Sequence, residues 1–183
     1  MRMIPKILIG ICSALFALSA CTSSDTTTEA GSERPTVVVT YSVLGSIVEQ
    51  LVGDAATVTT LIPDGQDPHE FEPSAKDIES LNNANIVVSN GLDFEEGLEE
   101  TLENAKTAGV NVFMAGDHIT VRELSDEGHD HGSFDPHLWL SPAAMLEMLP
   151  ELSETIGVAI GVDLSVQLET LVVEMTALDT EIQ

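Results

Sequence analysis

The chain has 183 residues, with 31 Asp or Glu against 6 Lys or Arg and a formal net charge of −25. So acidic a chain is repelled by phosphate backbones, which excludes nucleic acid as a partner, and it gathers cations around itself. A surplus of this size also fits a protein adapted to high salt, where self-repulsion is screened.

Arg2 and Lys6 open the chain, residues 7–18 form an apolar run, and Ser19 and Ala20 lead to Cys21. Residues 1–20 therefore read as a secretory signal peptide, whose apolar run is too short for a comfortable membrane span. The ending Leu18-Ser19-Ala20-Cys21 resembles the lipobox of bacterial lipoproteins, which implies that Cys21 is lipidated and becomes the mature N-terminus. Thr, Ser, Glu and Gly dominate the next stretch, so residues 21–35 read as a lipidated cysteine on a flexible tether. Cys12 would leave with the leader, so no disulfide is possible and the fold is left to its core or to a metal.

Residues 36–183 suffice for one domain of ordinary size. The β-branched run 36–40 predicts a buried strand, and 42–52 a helix with Val43, Leu44, Ile47, Val48 and Leu51 at helical spacing. Residues 56–62 are β-branched again. Ser74 caps a helix running to about Asn83, with Asp77 in its first turn and Ile78 and Leu81 inward. A strand at 86–88, an acidic helix over 94–108 with Leu98 and Leu102 on one face, and a strand at 111–114 come next. Strands separated by helices imply an α/β fold, a small parallel sheet of about four strands flanked by helices.

Residues 115–134 are polar and hold a short cluster, Glu127-Gly128-His129-Asp130-His131. Ser141 caps and Pro142 opens a helix through Met145 and Leu149. A second helix runs from Asp163 to the end, with Leu164, Leu168, Leu171, Val172, Met175 and Leu178 spaced along it and no stop signal. Neither a glycine-rich phosphate loop after a strand nor a Gly-x-Ser-x-Gly occurs.

One tripeptide occurs twice, as Asp67-Pro68-His69 and Asp135-Pro136-His137. Each proline fixes its own φ and biases the preceding aspartate away from helix, so each histidine sits in a stiff segment where its ring can be aimed. An aimed imidazole with a carboxylate two residues away suits a borderline ion such as Zn²⁺ or Mn²⁺. Asp-Pro-X is also a common turn, and that reading accounts for either motif alone. Two copies, each followed by an aromatic (Phe71, Trp139), favour a metal site.

With Val37-Val-Val-Thr-Tyr-Ser42, Leu61-Ile-Pro63, Asp67-Pro-His-Glu-Phe-Glu-Pro-Ser74, Asn85-Ile-Val-Val-Ser-Asn-Gly91 and Asp135-Pro-His-Leu-Trp-Leu-Ser-Pro142 in this order, the chain resembles one family. It is similar to the N-terminal half of the zinc/manganese substrate-binding lipoproteins of bacterial ABC importers, two-lobed proteins also known as adhesins. The resemblance implies an N-terminal metal-binding lobe over 36–160 and the start of an interlobe helix over 161–183. It implies His69 and His137 as ligands of the metal. Two further ligands, a histidine or glutamate and then an aspartate, come in that family from a second lobe that this sequence does not contain. The sequence is then either a fragment or the product of a truncated gene, with impaired metal binding.

Asp67 and Asp135 either orient the two rings as acceptors behind them or serve only the turns. His129, His131 and Asp130 are either a solvated acidic loop or a weak accessory zinc collector, placed where zinc members of the family carry a His-rich loop. Glu70 and Glu72 are read as exposed rather than as an acid/base pair, His118 as structural, and Trp139 as packing beside the site and excluding water.

The leading function is thus an extracytoplasmic metal-capture lipoprotein, anchored by lipid to the outer face of the cell membrane, that delivers Zn²⁺ (alternatively Mn²⁺) to an ABC permease. It is a binding protein and not an enzyme. The short His-bearing loop favours zinc, although the discriminating ligand would lie beyond Gln183. An adhesin or interaction lipoprotein with a structural metal is the second reading. A secreted metallohydrolase is remote, because it needs an open coordination position and a nearby base, and no His-Glu-x-x-His occurs.

Overall fold

The computed structural model of the protein describes residues 34–121 and 134–182. The leader, Cys21 and the cluster His129, Asp130 and His131 lie outside the described residues.

Four β-branched runs become four parallel strands, β1 (Thr36–Val39), β2 (Thr57–Thr60), β3 (Ile86–Ser89) and β4 (Val112–Met114), in the order β2-β1-β3-β4. Val37 pairs with Val58 on one side and Ile86 on the other, and Val88 pairs with Phe113. The two inner strands are buried along nearly their whole length, as parallel strands covered on both faces must be.

Helix α1 (Ser42–Val52) follows β1, α2 (Ala75–Asn82) follows β2, and α3 (Glu99–Thr107) precedes β4. The step from β1 to β2 runs toward one edge of the sheet, and the steps to β3 and β4 run toward the other. Right-handed crossovers then place α1 on one face and α2 with α3 on the opposite face. After β4 come α4 (Pro142–Ile160) and α5 (Ser165–Ile182), which pack on each other, with α5 also against α1. Among the described residues no helix is long and apolar enough to cross a membrane.

The reversal of winding falls between β1 and β3. In open parallel sheets the crevice at the carboxyl ends of the strands flanking such a reversal is where ligands bind. Tyr41 leaves β1 there and Asn90 leaves β3 there, while the loops after β2 and β4 carry His69 and His137.

Local chemistry accounts for most boundaries. Ser74 and Asp77 form a reciprocal capping box at the start of α2. Ser141 Oγ accepts the Ala144 N–H at 3.3 Å, with Pro142 at the first turn of α4. Gly161, at φ 72°, closes that helix in the left-handed conformation that favours glycine.

Two expectations are corrected. Helix α3 begins at Glu99 rather than at 94, because a 3-10 turn (Glu96–Leu98) precedes it. Phe94 is held outside the helix by ring contacts and Glu95 by buried hydrogen bonds. Ile78 is 39% exposed rather than inward, since so short a helix as α2 buries little more than Leu81. The end of α5 is less covered: Leu178 is 46% exposed, past the stretch that Leu168, Leu171 and Met175 hold against the core.

Candidate metal centre

The two Asp-Pro-His segments share one local geometry. Asp67 Oδ1 accepts the His69 backbone N–H at 3.0 Å, and Asp135 Oδ1 accepts the His137 backbone N–H at 3.0 Å. Each is an aspartate turn closed two residues on, the conformation that a following proline pre-sets. Asp135 Oδ1 also lies 2.8 Å from His137 Nδ1. In the tautomer whose Nδ1–H donates to the carboxylate, Nε2 of His137 is left as a lone-pair acceptor. The ring retains access, since 39% of the His137 side chain is exposed.

Phe94 brings the segments to one place. Its ring centroid is 5.3 Å from that of His69 and 6.2 Å from that of His137, both edge-on. Trp139 packs 4.8 Å from Phe94 and 5.3 Å from His137, and Tyr41 stands 5.1 Å from Phe94 and 5.0 Å from Trp139. The two imidazoles thus share an apolar aromatic wall, and His69 Nδ1 is shielded from solvent. Such a wall lowers the local dielectric and restricts the rings to few orientations.

Behind the wall lies a polar network. Glu95, 3% exposed, accepts the Thr40 hydroxyl and the backbone N–H groups of Asn90 at 2.8 Å and Gly91 at 3.2 Å. The carboxylate clamps residues 90–95 into a tight loop in which Leu92 and Asp93 both take positive φ, 57° and 58°. Burial pushes the Glu95 carboxyl above the ordinary glutamate value, opposed by those three hydrogen bonds. Asn90, fully buried, accepts the Tyr41 hydroxyl at 2.9 Å and donates to Gly91 O and Pro136 O, each at 2.9 Å. Burial, and secondarily the Glu95 charge, push the Tyr41 phenol up, which keeps it a donor.

Trp139, expected in the core, packs beside the site but is only half-buried, against the core rather than within it. Glu70 and Glu72 are both exposed, as expected. His118 stacks flat on Phe113 at 4.4 Å and 6° between planes, a packing role at the end of β4. Tyr41, Asn90, Phe94 and Glu95 were not singled out by sequence reasoning. The available signal was an Asn-Gly directly after a buried strand, a turn placed at the ligand-binding edge of a parallel sheet. Among the described residues no group of three or more His, Cys, Asp or Glu gathers to hold a metal. The described residues present two imidazoles on a preformed wall.

A parallel α/β lobe with paired Asp-Pro-His turns at its switch point defines a class of protein, and comparison with known sequences places the chain in it. Residues 37–183 match the family described as ZnuA, zinc-uptake complex component A periplasmic, and the chain belongs to that family. It is 34% identical over 141 residues to the iron ABC transporter substrate-binding lipoprotein MtsA of Streptococcus pyogenes serotype M1, covering 74% of this chain and 45% of the relative. It is 33% identical over 146 residues to the manganese ABC transporter substrate-binding lipoprotein PsaA of Streptococcus pneumoniae, covering 77% and 46%. The chain therefore spans less than half the length of these relatives, a match that fits their N-terminal half. Among solved structures, Zn(II)-bound AdcA from Streptococcus pneumoniae superposes with a TM-score of 0.66 at 25% identity, over 81% of this chain and 32% of that one. The periplasmic zinc-binding protein TroA from Treponema pallidum shares the fold, with a TM-score of 0.70 at 22% identity over 81% and 54%.

Proposed function

We propose that the protein is the metal-capturing component of an ABC importer, an extracytoplasmic lipoprotein that binds Zn²⁺ in preference to Mn²⁺ and passes it to a permease. His69 and His137 are the two nitrogen ligands of this lobe. Asp135 fixes the His137 ring, and Asp67 fixes the backbone that carries His69. Further ligands come from a second lobe of the whole protein, and Cys21 carries the lipid that keeps it at the membrane.

The observation that carries this reading is the convergence of both Asp-Pro-His turns on Phe94, with Asp135 on the His137 ring. Neutral imidazole suits zinc and other late divalent ions, and apolar walls with few rotamers lower the entropic cost of closing around the ion. Family membership supports the role, and relatives named for zinc, manganese and iron support the class of cargo.

The test is metal titration of the protein encoded by the whole gene, with Zn²⁺ and Mn²⁺ in competition with a chelator. His69→Ala and His137→Ala are each expected to weaken Zn²⁺ binding about tenfold or more, since each removes a direct nitrogen donor. Unchanged affinity in both variants removes the assignment.

A further inference from the structure

The second Asp-Pro-His turn is not anchored to the lobe by its own residues alone. Its backbone carbonyl at Pro136, the residue before His137, accepts the Asn90 side-chain amide at 2.9 Å across 46 positions of sequence. The same amide group also donates to Gly91 O at 2.9 Å, and its oxygen takes the Tyr41 hydroxyl at 2.9 Å. Both donors of the amide are in use, so its orientation is determined without ambiguity. The amide is fully buried, so a lost partner would leave Pro136 O or Gly91 O unsatisfied in a dry setting.

Asn90 is in turn held from the other side. Its own backbone N–H is gripped by Glu95, which also binds the Thr40 hydroxyl. Thr40 and Tyr41 directly follow β1, and Asn90 directly follows β3. One unbroken chain of hydrogen bonds thus runs from the carboxyl ends of the two central strands to the backbone next to His137. The loop it organises also carries Phe94, whose ring touches both imidazoles.

We propose that Asn90 is the positioning residue of the metal site, transmitting the fixed geometry of the β1 and β3 ends to the His137 turn through its contact with Pro136 O. The proposal rests on the assignment of His137 as a ligand. Asn90 touches no metal itself. It acts by restricting where the His137 backbone, and so its ring, can stand before the ion arrives, which is how supporting groups raise affinity without new ligand bonds.

The test uses the protein encoded by the whole gene, with Zn²⁺ for affinity and Co²⁺ for its ligand-field absorption. Asn90→Ala is expected to weaken Zn²⁺ binding about tenfold and to broaden or shift the Co²⁺ bands, as loss of an orienting partner does. Leu171→Ala, a buried truncation on α5, is the control, with a lowered Tm but wild-type Zn²⁺ affinity and Co²⁺ spectrum. Should Asn90→Ala fail to fold, Tyr41→Phe removes only the hydroxyl that holds the amide, and a weaker but like-signed change is expected. Wild-type affinity and spectrum in the folded Asn90 variant, or in Tyr41→Phe where that variant is the one that folds, overturn the proposal. His137→Ala run alongside separates the two readings: an effect there without one at Asn90 leaves the site standing and removes only the positioning role. No effect at either removes the site assignment with it.

Discussion

At the scale of single residues, the most unusual group in the lobe is Glu95, a carboxylate 3% exposed and satisfied by one hydroxyl and two backbone N–H groups. Burial raises its folded-state pKa above the unfolded value. Between those two values the folded state holds more protons than the unfolded one, so stability falls as pH rises through the window, and the cost of the buried charge is fully present above it. Glu95→Gln lacks that titration. Denaturant unfolding of the chelated protein, followed as pH rises from the ordinary glutamate value, should therefore show wild type losing stability relative to the variant. Gln also turns an amide toward one of the N–H donors, but that penalty does not vary with pH, so the slope is the readout. Parallel stability curves would show that burial does not shift Glu95. The Asp-His pairs were legible in the sequence because each is closed over two positions, within one turn. Glu95, Asn90 and Tyr41 were not, because their partners lie 55, 46 and 49 positions away and only the folded sheet brings them together.

Among the elements, the short 3-10 turn before α3 carries a tight constraint. A Cβ built on Gly97 would stand 2.1 Å from the carbonyl oxygen of Phe71, in the loop that follows His69. Backbone against backbone leaves no flexible side chain to give way, so one of the two loops must move. Gly97→Ala is accordingly expected to cost about 1–3 kcal/mol in denaturant unfolding, the range for forced overpacking. It should also weaken Zn²⁺ binding, because the displaced loop bears His69, the ligand proposed above. A variant as stable as wild type would show that the loops separate without cost. The same region explains why the start of α3 was misread. Phe94, Leu98 and Leu102 fall at helical spacing, so periodicity alone extends the helix to Phe94. The Glu95 clamp and the positive φ of Leu92 and Asp93 instead hold Phe94 outside the helix, against the histidines. Where termini are set by local chemistry, as with Ser74 and Asp77 or Ser141 and Pro142, the sequence reading and the structure agree.

For the whole molecule, charge is the governing feature. With 31 acidic residues against 6 basic ones, few carboxylates have a cation to pair with, and compaction brings like charges together. The lobe compensates with a dry parallel sheet and no described disulfide, so its margin against self-repulsion rests on packing and on the solvent. Salt shortens the range of that repulsion, from about 10 Å at 0.1 M to about 3 Å at 1 M. Interactions lost to the same screening are few, because the hydrogen bonds that hold the site are buried or closed within a turn. Net stability should therefore rise with monovalent salt over that range, contrary to a protein held by surface ion pairs. Urea unfolding midpoints in NaCl and in KCl provide the measurement, with chelator present so that metal binding does not contribute. Equal gains in both salts identify screening as the cause. A gain in one alone would point to a specific cation, and midpoints that stay flat or fall would show that the acidic surface places no strain on the folded state.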